Sequence, residues 1–305
     1  MTMVSTIIPT RNRPQLLPET LESVARQGVD DMEVIIVDDA SQDPEQNAAV
    51  VKRFEDRLDI RYLLQPERGG TGRARNTGIK AARGEFIALL DDDDLWHPGK
   101  LRKQLDRFHA NPRGLQNVGV VYVWHQWVDV GSGKTRIRRA RLETLDDLFR
   151  WSYNIPQTVL IRRECFAVSG PFDEQMPTKQ DFDLLARMIQ HFRFDCIEEV
   201  LVTCRDHPGP RRTDDFRARL KGFEILLDRY GPKVGDRRVL HDFRFRLGRL
   251  LLSAGEAGRA RHEIREALTL APVGQKPRYF AFWAIATAAA VSRQSSGTVG
   301  GAHDS

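Results

Sequence analysis

The first 90 residues alternate between short apolar segments of strand length and segments with helical periodicity. Apolar or β-branched runs occupy residues 4–10, 32–37, 60–64 and 85–90, and the first three are each followed by a stretch with apolar side chains at helical spacing. This alternation is typical of a doubly wound, mostly parallel sheet flanked by helices. The sequence therefore predicts an α/β fold, in which ligands bind at the carboxyl ends of the strands.

A run of four aspartates follows the fourth predicted strand directly: Asp91, Asp92, Asp93 and Asp94. Adjacent carboxylates repel one another and are poor strand formers, so their place at the end of a buried strand indicates a bound positive charge. Oxygen ligands suit a hard divalent cation, Mg²⁺ or Mn²⁺, which usually shares its site with substrate phosphates. A solvated acidic loop is the alternative interpretation.

A second acidic pair, Asp38 and Asp39, follows the second predicted strand. Because the carboxyl ends of parallel strands meet at one edge of a sheet, both acidic clusters are expected at the same crevice.

Two glycine-rich segments do not fit phosphate-binding motifs. Arg75 stands where the last glycine of a dinucleotide loop belongs, and residues 129–134 fit a hairpin turn between two strands better than a phosphate loop.

Five segments, in order along the chain, resemble the family 2 glycosyltransferases with the GT-A fold. Four of them lie within roughly the first 100 residues, at positions 7–14, 37–43, 73–78 and 84–94, and the fifth spans 170–184. The resemblance implies a set of residues around the nucleotide and its diphosphate: Pro9, Thr10, Arg11, Asp38, Asp39, Arg73 and Asn76. The first three would line the base and ribose, and Asp38 is preferred over Asp39 for hydrogen bonding to the base.

The resemblance also implies a metal site. Asp91 and Asp93 stand where the family has its Asp-x-Asp motif, so Asp93 would be the main metal ligand, and Asp91 or Asp92 would touch the ribose or the sugar. His207 corresponds to a position where a family histidine can contact the metal or the diphosphate, and an ordinary loop histidine is the alternative. Beyond it, Arg211 and Arg212 would clamp phosphate oxygens, or simply carry surface charge.

Asp181 stands where the family places its catalytic base. A single carboxylate that removes the proton of an attacking hydroxyl implies in-line attack with inversion at the anomeric carbon. An acidic residue in the first turn of a helix, favoured by the helix dipole, is the alternative interpretation. The family often has glutamate immediately before this aspartate, whereas this chain has Gln180.

The predicted function is that of an inverting, metal-dependent hexosyltransferase. It would move a sugar from a nucleotide-diphosphate sugar, by default a uridine diphosphate sugar, to a saccharide or lipid-linked acceptor in cell-envelope or polysaccharide synthesis. One alternative is a catalytically weak nucleotide-sugar-binding or scaffold protein that acts through its helical tail, and Gln180 keeps this alternative open. A nucleotidyltransferase is disfavoured, because no glycine-rich phosphate loop follows the first strand.

Composition and the N-terminal sequence indicate the compartment of the protein and argue against nucleic acid as a partner. Cys165, Cys196 and Cys204 match no metal-binding spacing, and an odd number argues against a disulfide framework. No signal peptide is visible at the N-terminus, which predicts a cytoplasmic protein. Despite an isoelectric point near 9.2, no nucleic-acid partner is expected, because basic and acidic residues are interspersed and no recognition motif is present.

Three regions are predicted: a catalytic domain over residues 1–212, a helical extension over 213–292 and a disordered tail over 293–305. The extension contains one unit resembling a tetratricopeptide-type helical hairpin, which needs a packing partner. Residues 279–291 are uncharged but too few to span a bilayer. They form either a core helix or an interfacial helix that makes peripheral contact, through 276–293, with the inner face of the cell membrane.

Overall fold

The computed structural model describes residues 3–111, 113–153, 155–207 and 215–297, with side chains as far as residue 290. The chain divides into two compact units. Unit 1 comprises Met1–Thr144, Asn154–Gln175 and Gln180–Gly209, and unit 2 comprises Leu145–Tyr153, Met176–Lys179 and Pro210–Ser305. Two short segments from within the expected catalytic region, 145–153 and 176–179, therefore group with the helical extension.

Unit 1 is built on a mixed sheet whose described strands are β1 (Val4–Thr10), β2 (Met32–Asp38), β3 (Asp59–Leu64), β4 (Phe86–Leu89), β5 (Leu95–Trp96), β6 (Val118–Asp129), β7 (Thr135–Arg138), β8 (Val159–Arg162) and β9 (Arg193–Asp206). Their order is β3-β2-β1-β4-β8-β6-β9-β5, and β7 pairs with the outer part of β6. The first four strands are parallel, as the strand–helix alternation predicts, and β8 joins them antiparallel to β4.

The parallel half of the sheet places the predicted motifs at one edge. Every residue of β1 and β2 is buried, and the two strands pair from Val4 opposite Met32 to Thr10 opposite Asp38. Pro9 does not end β1. The pairing of β1 with β4 stops at Ile7, so Pro9 leaves no gap in that ladder. The carboxyl ends of β1, β2 and β4 therefore lie side by side.

The described helices are α1 (Leu17–Ala25), α2 (Pro44–Lys52), α3 (Gly70–Ala81), α4 (Lys100–Ala110), α5 (Leu145–Trp151), α6 (Glu164–Ser169), α7 (Gln180–Met188), α8 (Phe216–Tyr230), α9 (His241–Ser253), α10 (Ala257–Leu270) and α11 (Lys276–Gly297). The apolar spacing of the sequence predicts a helix over residues 74–82, whereas α3 begins four residues earlier, at Gly70. The early start is stabilised by Asp39, whose carboxylate accepts hydrogen bonds from the main-chain N–H groups of Gly69 and Gly70. The glycine-rich segment is thus the first turn of a helix.

The predicted hairpin of residues 120–138 is confirmed. Strands β6 and β7 pair antiparallel, and the N–H groups of Asp129 and Gly133 close the turn. The three cysteines are unpaired and buried, as expected.

Unit 2 consists of α5 and α8–α11 with short connecting turns. The predicted helical hairpin is formed by α9 and α10, where Gly248 allows close approach because an added Cβ would lie 2.5 Å from Ile264. Its packing partners lie within unit 2. Phe243 of α9 packs against Phe149 of α5 and Phe223 of α8, at centroid distances of 4.9 and 4.5 Å.

Helix α11 reaches into the region expected to form the tail. Helix α11 continues to Gly297, so residues 293–297 of the predicted tail are helical, whereas 298–305 lie outside the described residues. Within the described part of the chain, no helix is both long and apolar enough to cross a bilayer.

Candidate active site

The aspartate run forms a tight turn at the end of β4, held by side chains from distant segments. Nε2 of Gln157 donates to Oδ2 of Asp91 and to Oδ2 of Asp94, at 2.6 Å in each case. Oδ1 of Asp91 accepts a hydrogen bond of 2.6 Å from Nη2 of Arg75. Oδ1 of Asp94 accepts from the main-chain N–H of Arg205 at 2.9 Å. The turn is thereby fixed to α3, β9 and the segment before β8.

The other two aspartates of the run are tied to the end of β1. The hydroxyl of Thr10 donates to Oδ2 of Asp92 at 2.8 Å, and Nη1 of Arg13 donates to Oδ1 of Asp92 at 3.1 Å and to Oδ2 of Asp93 at 2.8 Å. The sequence places Thr10 beside the nucleotide and Asp92 beside the ribose or sugar, and the structure brings the two into direct contact. The first and fourth strands therefore share one polar cluster at their carboxyl ends.

The run is electrostatically crowded. Burial, opposed by the charge of Arg13, raises the pKa of Asp92 to about 7. Burial and the negative charge of Asp91 raise the pKa of Asp93, and the same two causes raise that of Asp94 well above its ordinary value. Desolvated carboxylates that repel one another are stabilised by a bound cation.

Asp181 is joined to the aspartate run through one buried arginine. Nη1 of Arg75 lies 2.5 Å from Oδ1 of Asp181, while its Nη2 holds Asp91. Burial alone would lower the pKa of Arg75, but the charges of Asp181 and Asp91 outweigh it and hold the pKa above its usual value. The ring of Phe172 lies 5.2 Å from the guanidinium carbon. The predicted catalytic base and the predicted donor-binding motif therefore meet across a single side chain.

Gln180, the residue before Asp181, is buried against the first turn of α3. An added Cβ on Gly72 would lie 2.7 Å from Nε2 of Gln180, and Oε1 of Gln180 lies 3.5 Å from the hydroxyl of Thr71. The neutral amide thus packs where the family often has a carboxylate.

The two aspartates after β2 have different surroundings. Asp38 is fully buried, and its oxygens accept from the main chain of Ser41, from Asn47 and from the hydroxyl of Tyr62, at 2.5 to 2.8 Å. Its carboxylate therefore supports the loop after β2. Asp39 retains 6% exposure while binding the first turn of α3. Of the two, Asp39 is the better placed to meet a ligand.

Arg73 and Asn76, expected beside the nucleotide, make contacts of other kinds. Arg73 is ion-paired with Glu67 on the surface at 2.9 Å. Both ends of the Asn76 amide bind the main chain of Phe172, and Nδ2 also binds Glu174. Asn76 thus anchors the segment that leads to Asp181. Pro9 is buried in β1, and Arg11 is half-buried directly after that strand.

The end of β9 approaches the aspartate run from another side. Nε of Arg205 donates to the main-chain oxygen of Asp93, and Nη1 of Arg205 pairs with Glu19. Interaction with His207 partly opposes the rise in the pKa of Asp93, so this histidine lies near the predicted metal ligand. Arg211 and Arg212 lie outside the described residues.

The side chains around the aspartate run fit a divalent cation whose coordination shell is completed by a substrate. Among the described residues, no group of three or more histidine, cysteine, aspartate or glutamate side chains is arranged to hold a metal ion alone. Mg²⁺ usually takes only one or two carboxylates and completes its shell with phosphate oxygens and water. Asp91 and Asp93 can supply the one or two carboxylates of such an incomplete set, and the desolvated carboxylates around them favour a cation.

Sequence reasoning missed Arg75, Arg13 and Gln157. The first two lie inside segments that carry the family resemblance, and a signal for Arg75 was present: it falls between Ala74 and Gly78 on the buried face of α3. Gln157 has no local signal, because 66 residues separate it from Asp91 along the chain.

Trp96, two residues after the aspartate run, is a core residue. It is 3% exposed, its Nε1 donates to the main-chain oxygen of Gln157, and Nζ of Lys100 lies 4.3 Å from its ring centroid.

Comparison with known proteins supports the interpretation that the residues suggest. The model of glycosyl transferase family 2 matches residues 5–169, more than half of the chain. The chain belongs to this family. The uncharacterized glycosyltransferase RP339 of Rickettsia prowazekii is 30% identical over 240 residues, which cover 76% of this chain and 72% of the relative. RC0461 of Rickettsia conorii is 29% identical over 216 residues, but this chain spans only 34% of its length.

Solved structures share the fold at low sequence identity. TarS 1-349 of S. aureus, in complex with UDP-GlcNAc, superposes with a TM-score of 0.68 at 18% identity, covering 96% of this chain and 92% of that one. The mannosyltransferase PcManGT of Pyrobaculum calidifontis, in complex with GDP-Man and Mn²⁺, has a TM-score of 0.56, also at 18% identity, covering 94% and 86%. The expected GT-A-type α/β fold is confirmed.

Proposed function

We propose that this chain transfers a sugar from a nucleotide-diphosphate sugar to a hydroxyl acceptor, with inversion at the anomeric carbon. The observation that carries the proposal is the bridge from Asp181 through Arg75 to Asp91. It joins a carboxylate suited to accept a proton to the acidic turn at the ends of β1 and β4, where open α/β sheets bind their ligands. In this proposal, the base and the donor-binding groups act within one cluster.

The donor is proposed to lie over the ends of β1, β2 and β4. Asp39 would accept a hydrogen bond from the base, because it retains 6% exposure, whereas Asp38 is fully buried among Ser41, Asn47 and Tyr62. Pro9, Thr10 and Arg11 would border the base and ribose, and Asp91 or Asp92 the ribose or sugar. UDP-sugars remain the default donor, since TarS is described with UDP-GlcNAc, although PcManGT is described with GDP-Man.

Asp181 is proposed as the base that removes the proton of the attacking hydroxyl. Arg75 fixes one oxygen of this carboxylate through a hydrogen bond of 2.5 Å. A positioned base of this kind contributes about 10²–10⁴-fold to the rate. A single base that acts in one in-line displacement inverts the anomeric carbon.

Asp93, with Asp91 and His207, would hold Mg²⁺ or Mn²⁺. When bound with the donor, such an ion stabilises the negative charge that develops on the departing nucleoside diphosphate. Arg13 holds Asp93 in place, and Arg75 holds Asp91. The two guanidinium groups also partly neutralise the charge of these carboxylates.

The acceptor is proposed to be a saccharide or a lipid-linked glycan of cell-envelope or polysaccharide synthesis, and the compartment the cytoplasm. Three buried, unpaired cysteines suit a reducing compartment. The second candidate function, a catalytically weak nucleotide-sugar-binding protein, is kept by one observation: Gln180 cannot supply the charge that the family often has before its base.

Thermal stability in the presence of nucleoside diphosphates and their sugars, with and without Mn²⁺, tests the donor site. A ligand that binds only the folded state raises the melting temperature. We expect a metal-dependent rise with one nucleotide in the wild type and none in Asp93→Ala. No rise with any nucleotide would refute the donor site.

Asp181→Asn separates the enzyme from the binding protein. The variant should show the same nucleotide-dependent rise in melting temperature as the wild type, without sugar transfer. A wild type that binds the donor but transfers no sugar to any saccharide, lipid-linked acceptor or water would support the second candidate instead.

A further inference from the structure

One face of α11 carries apolar side chains that nothing among the described residues covers. The exposed positions are Phe280, Ala281, Ala284, Ile285 and Ala288. Their spacing of one, three and four residues places them on a single side of the helix. Phe280 and Ile285 are 55% and 54% exposed, which is high for large apolar side chains.

The opposite face of α11 is firmly packed within unit 2. Tyr279 is 1% exposed and stacks on Phe245 at 4.0 Å, and its hydroxyl lies 2.9 Å from Nδ1 of His241. Phe282 contacts the edge of Phe245 at 5.3 Å, and Ala286 is fully buried. The helix is therefore fixed in place, and its exposed face is a stable surface of unit 2.

The charged residues of α11 itself have one sign. Helix α11 contains no aspartate or glutamate, and neither does the chain between Glu266 and the start of this helix. Lys276 and Arg278 are exposed at its first turn. An apolar strip bordered by cations is complementary to a surface that combines hydrocarbon with negative charge.

The dimensions disfavour a second copy of this chain as the occupant. The helix over residues 276–290 measures about 22 Å by about 10 Å, on the order of 200 Å². A stable protein–protein interface buries about 800 Å² per partner. A bilayer surface needs no matching protein surface, because each apolar side chain that enters the headgroup region contributes independently.

We propose that the exposed face of α11 docks on an anionic lipid bilayer. Phe280 and Ile285 enter the boundary between headgroups and acyl chains, and Lys276 and Arg278 meet lipid phosphates. The helix lies in the plane of the interface. This inference is independent of the proposed sugar transfer. If both hold, attachment confines the enzyme to the surface where a lipid-linked acceptor would be found.

Co-sedimentation of the full chain with vesicles tests the proposal. The vesicles contain phosphatidylcholine alone or phosphatidylcholine with about 30% phosphatidylglycerol, a fraction that gives the surface a negative potential. We expect binding to the anionic vesicles that weakens as salt shortens the Debye length. Failure to bind either kind of vesicle overturns the proposal.

Matched variants locate the binding surface. Phe280→Gln with Ile285→Gln should lower the partition coefficient by about tenfold or more, since two large apolar groups no longer enter the bilayer. Val130→Gln with Val168→Gln changes two valines that are 47% and 59% exposed in unit 1, and it should leave binding unchanged. Equal losses in the two double variants would overturn the assignment to α11.

A charge pair separates electrostatic attraction from general stickiness. Lys276→Glu should weaken binding to anionic vesicles by more than about fivefold, because one basic residue near such a surface contributes about 1 kcal/mol. Lys80→Glu, on α3 of unit 1, is the control and should bind as the wild type does. Equal effects of the two would contradict the proposed orientation.

Light scattering on the same proteins measures their oligomeric state, and it tests whether a second copy of this chain covers the face instead of lipid. A monomer in both the wild type and the Phe280→Gln, Ile285→Gln variant supports the proposal. A wild-type dimer that this variant converts to monomer assigns the face to a second copy and overturns the lipid proposal. Donor binding, measured by thermal shift, should be the same in every α11 variant, so failure here is distinct from failure of the proposed function.

Discussion

Nη1 of Arg75 lies 2.5 Å from Oδ1 of Asp181, inside a site where the arginine itself is only 3% exposed. A buried guanidinium between two carboxylates is stabilised only while both partners remain. The same group binds Asp91 at 2.6 Å, so Arg75 couples the position of the proposed base to that of the proposed donor-binding turn.

Replacing Arg75 should therefore damage catalysis more than donor binding. Arg75→Lys keeps the charge but cannot bridge two carboxylates with a planar fork, so we expect kcat to fall by at least about tenfold with a smaller change in donor affinity. Arg75→Ala leaves buried charge uncompensated and should lower the free energy of unfolding by about 3–5 kcal/mol. Turnover, donor calorimetry and urea denaturation provide the three measurements.

Arg73→Lys is the matched control for Arg75→Lys. Arg73 lies on the same helix, two residues away, but pairs with Glu67 at the surface. Its replacement should change kcat and stability little, because exposed ion pairs contribute about 0–1 kcal/mol. A large loss of kcat in Arg73→Lys, with none in Arg75→Lys, would show that the arginine roles have been assigned the wrong way round.

Gln157 should act on the donor site through Asp91 and Asp94. Its single amide nitrogen holds both carboxylates, and Gln157→Glu would place a third negative group between them. We expect donor affinity to fall and a higher Mn²⁺ concentration to be needed for half-maximal donor binding. Titration of Mn²⁺ at fixed nucleotide, followed by thermal shift, measures the change.

Gln104 offers a comparison for Gln157. It is equally buried, but it binds the main-chain oxygens of Val121 and Thr158 and Nζ of Lys100. Gln104→Glu should lower stability and leave the Mn²⁺ requirement of the folded protein unchanged. If both variants shift that requirement equally, the effect comes from general loosening of the core.

Gly72 should be intolerant of a side chain because of Gln180. A Cβ at this position would lie 2.7 Å from Nε2 of Gln180, so Gly72→Ala must displace the residue that precedes Asp181. We expect kcat to fall several-fold, which corresponds to a rise of at most about 1 kcal/mol in the activation free energy. The effect is small because the clash is with the end of a flexible side chain. Steady-state kinetics with saturating donor measures it.

Gly258→Ala is the control for Gly72→Ala. No atom lies within 4 Å of a Cβ at Gly258, which is in the first turn of α10. Its replacement should leave kcat unchanged and alter stability slightly in the favourable direction, as expected for alanine in a helix. If kcat is unchanged in Gly72→Ala as well, the position of Gln180 does not affect catalysis.

His125 should make stability depend on pH. Burial and the positive charge of Arg138 lower the pKa of His125 to about 4 in the folded protein. The unfolded chain takes up this proton near pH 6.5. Below that pH the unfolded state binds more protons, so the stabilisation is complete above pH 6.5 and is lost as the pH falls toward 4, by about 3 kcal/mol at most.

The His125→Gln variant isolates this effect. Urea denaturation of wild type and variant at pH 7, 5.5 and 4.5 gives the unfolding free energy of each protein. The value for the wild type minus the value for the variant should decrease as the pH falls from 7 to 4.5. Contributions from other titrating groups cancel in that difference. Parallel pH profiles for the two proteins would exclude His125 as the cause.

The fold was predictable because its signals are local. The four parallel strands, the first two helices and the β6–β7 hairpin follow from periodicity and from turn residues within each segment. The start of α3 at Gly70 cannot be predicted from local sequence, because glycine is a poor helix former and the compensating hydrogen bonds come from Asp39, 30 residues earlier. Long-range capping of this kind leaves no trace in the pattern of the helix itself.

The sequence by itself determined the α/β class, the acidic turn and the family, since strand periodicity and ordered motifs survive without coordinates. Only the tertiary structure decided which side chains do what. Asp38 is buried as a support of its loop, Asn76 anchors the segment before Asp181, and Arg75 joins the proposed base to the aspartate run. The physical reason is that a carboxylate, an amide or a guanidinium acquires its role from partners many residues away, which only chain packing brings within hydrogen-bonding distance.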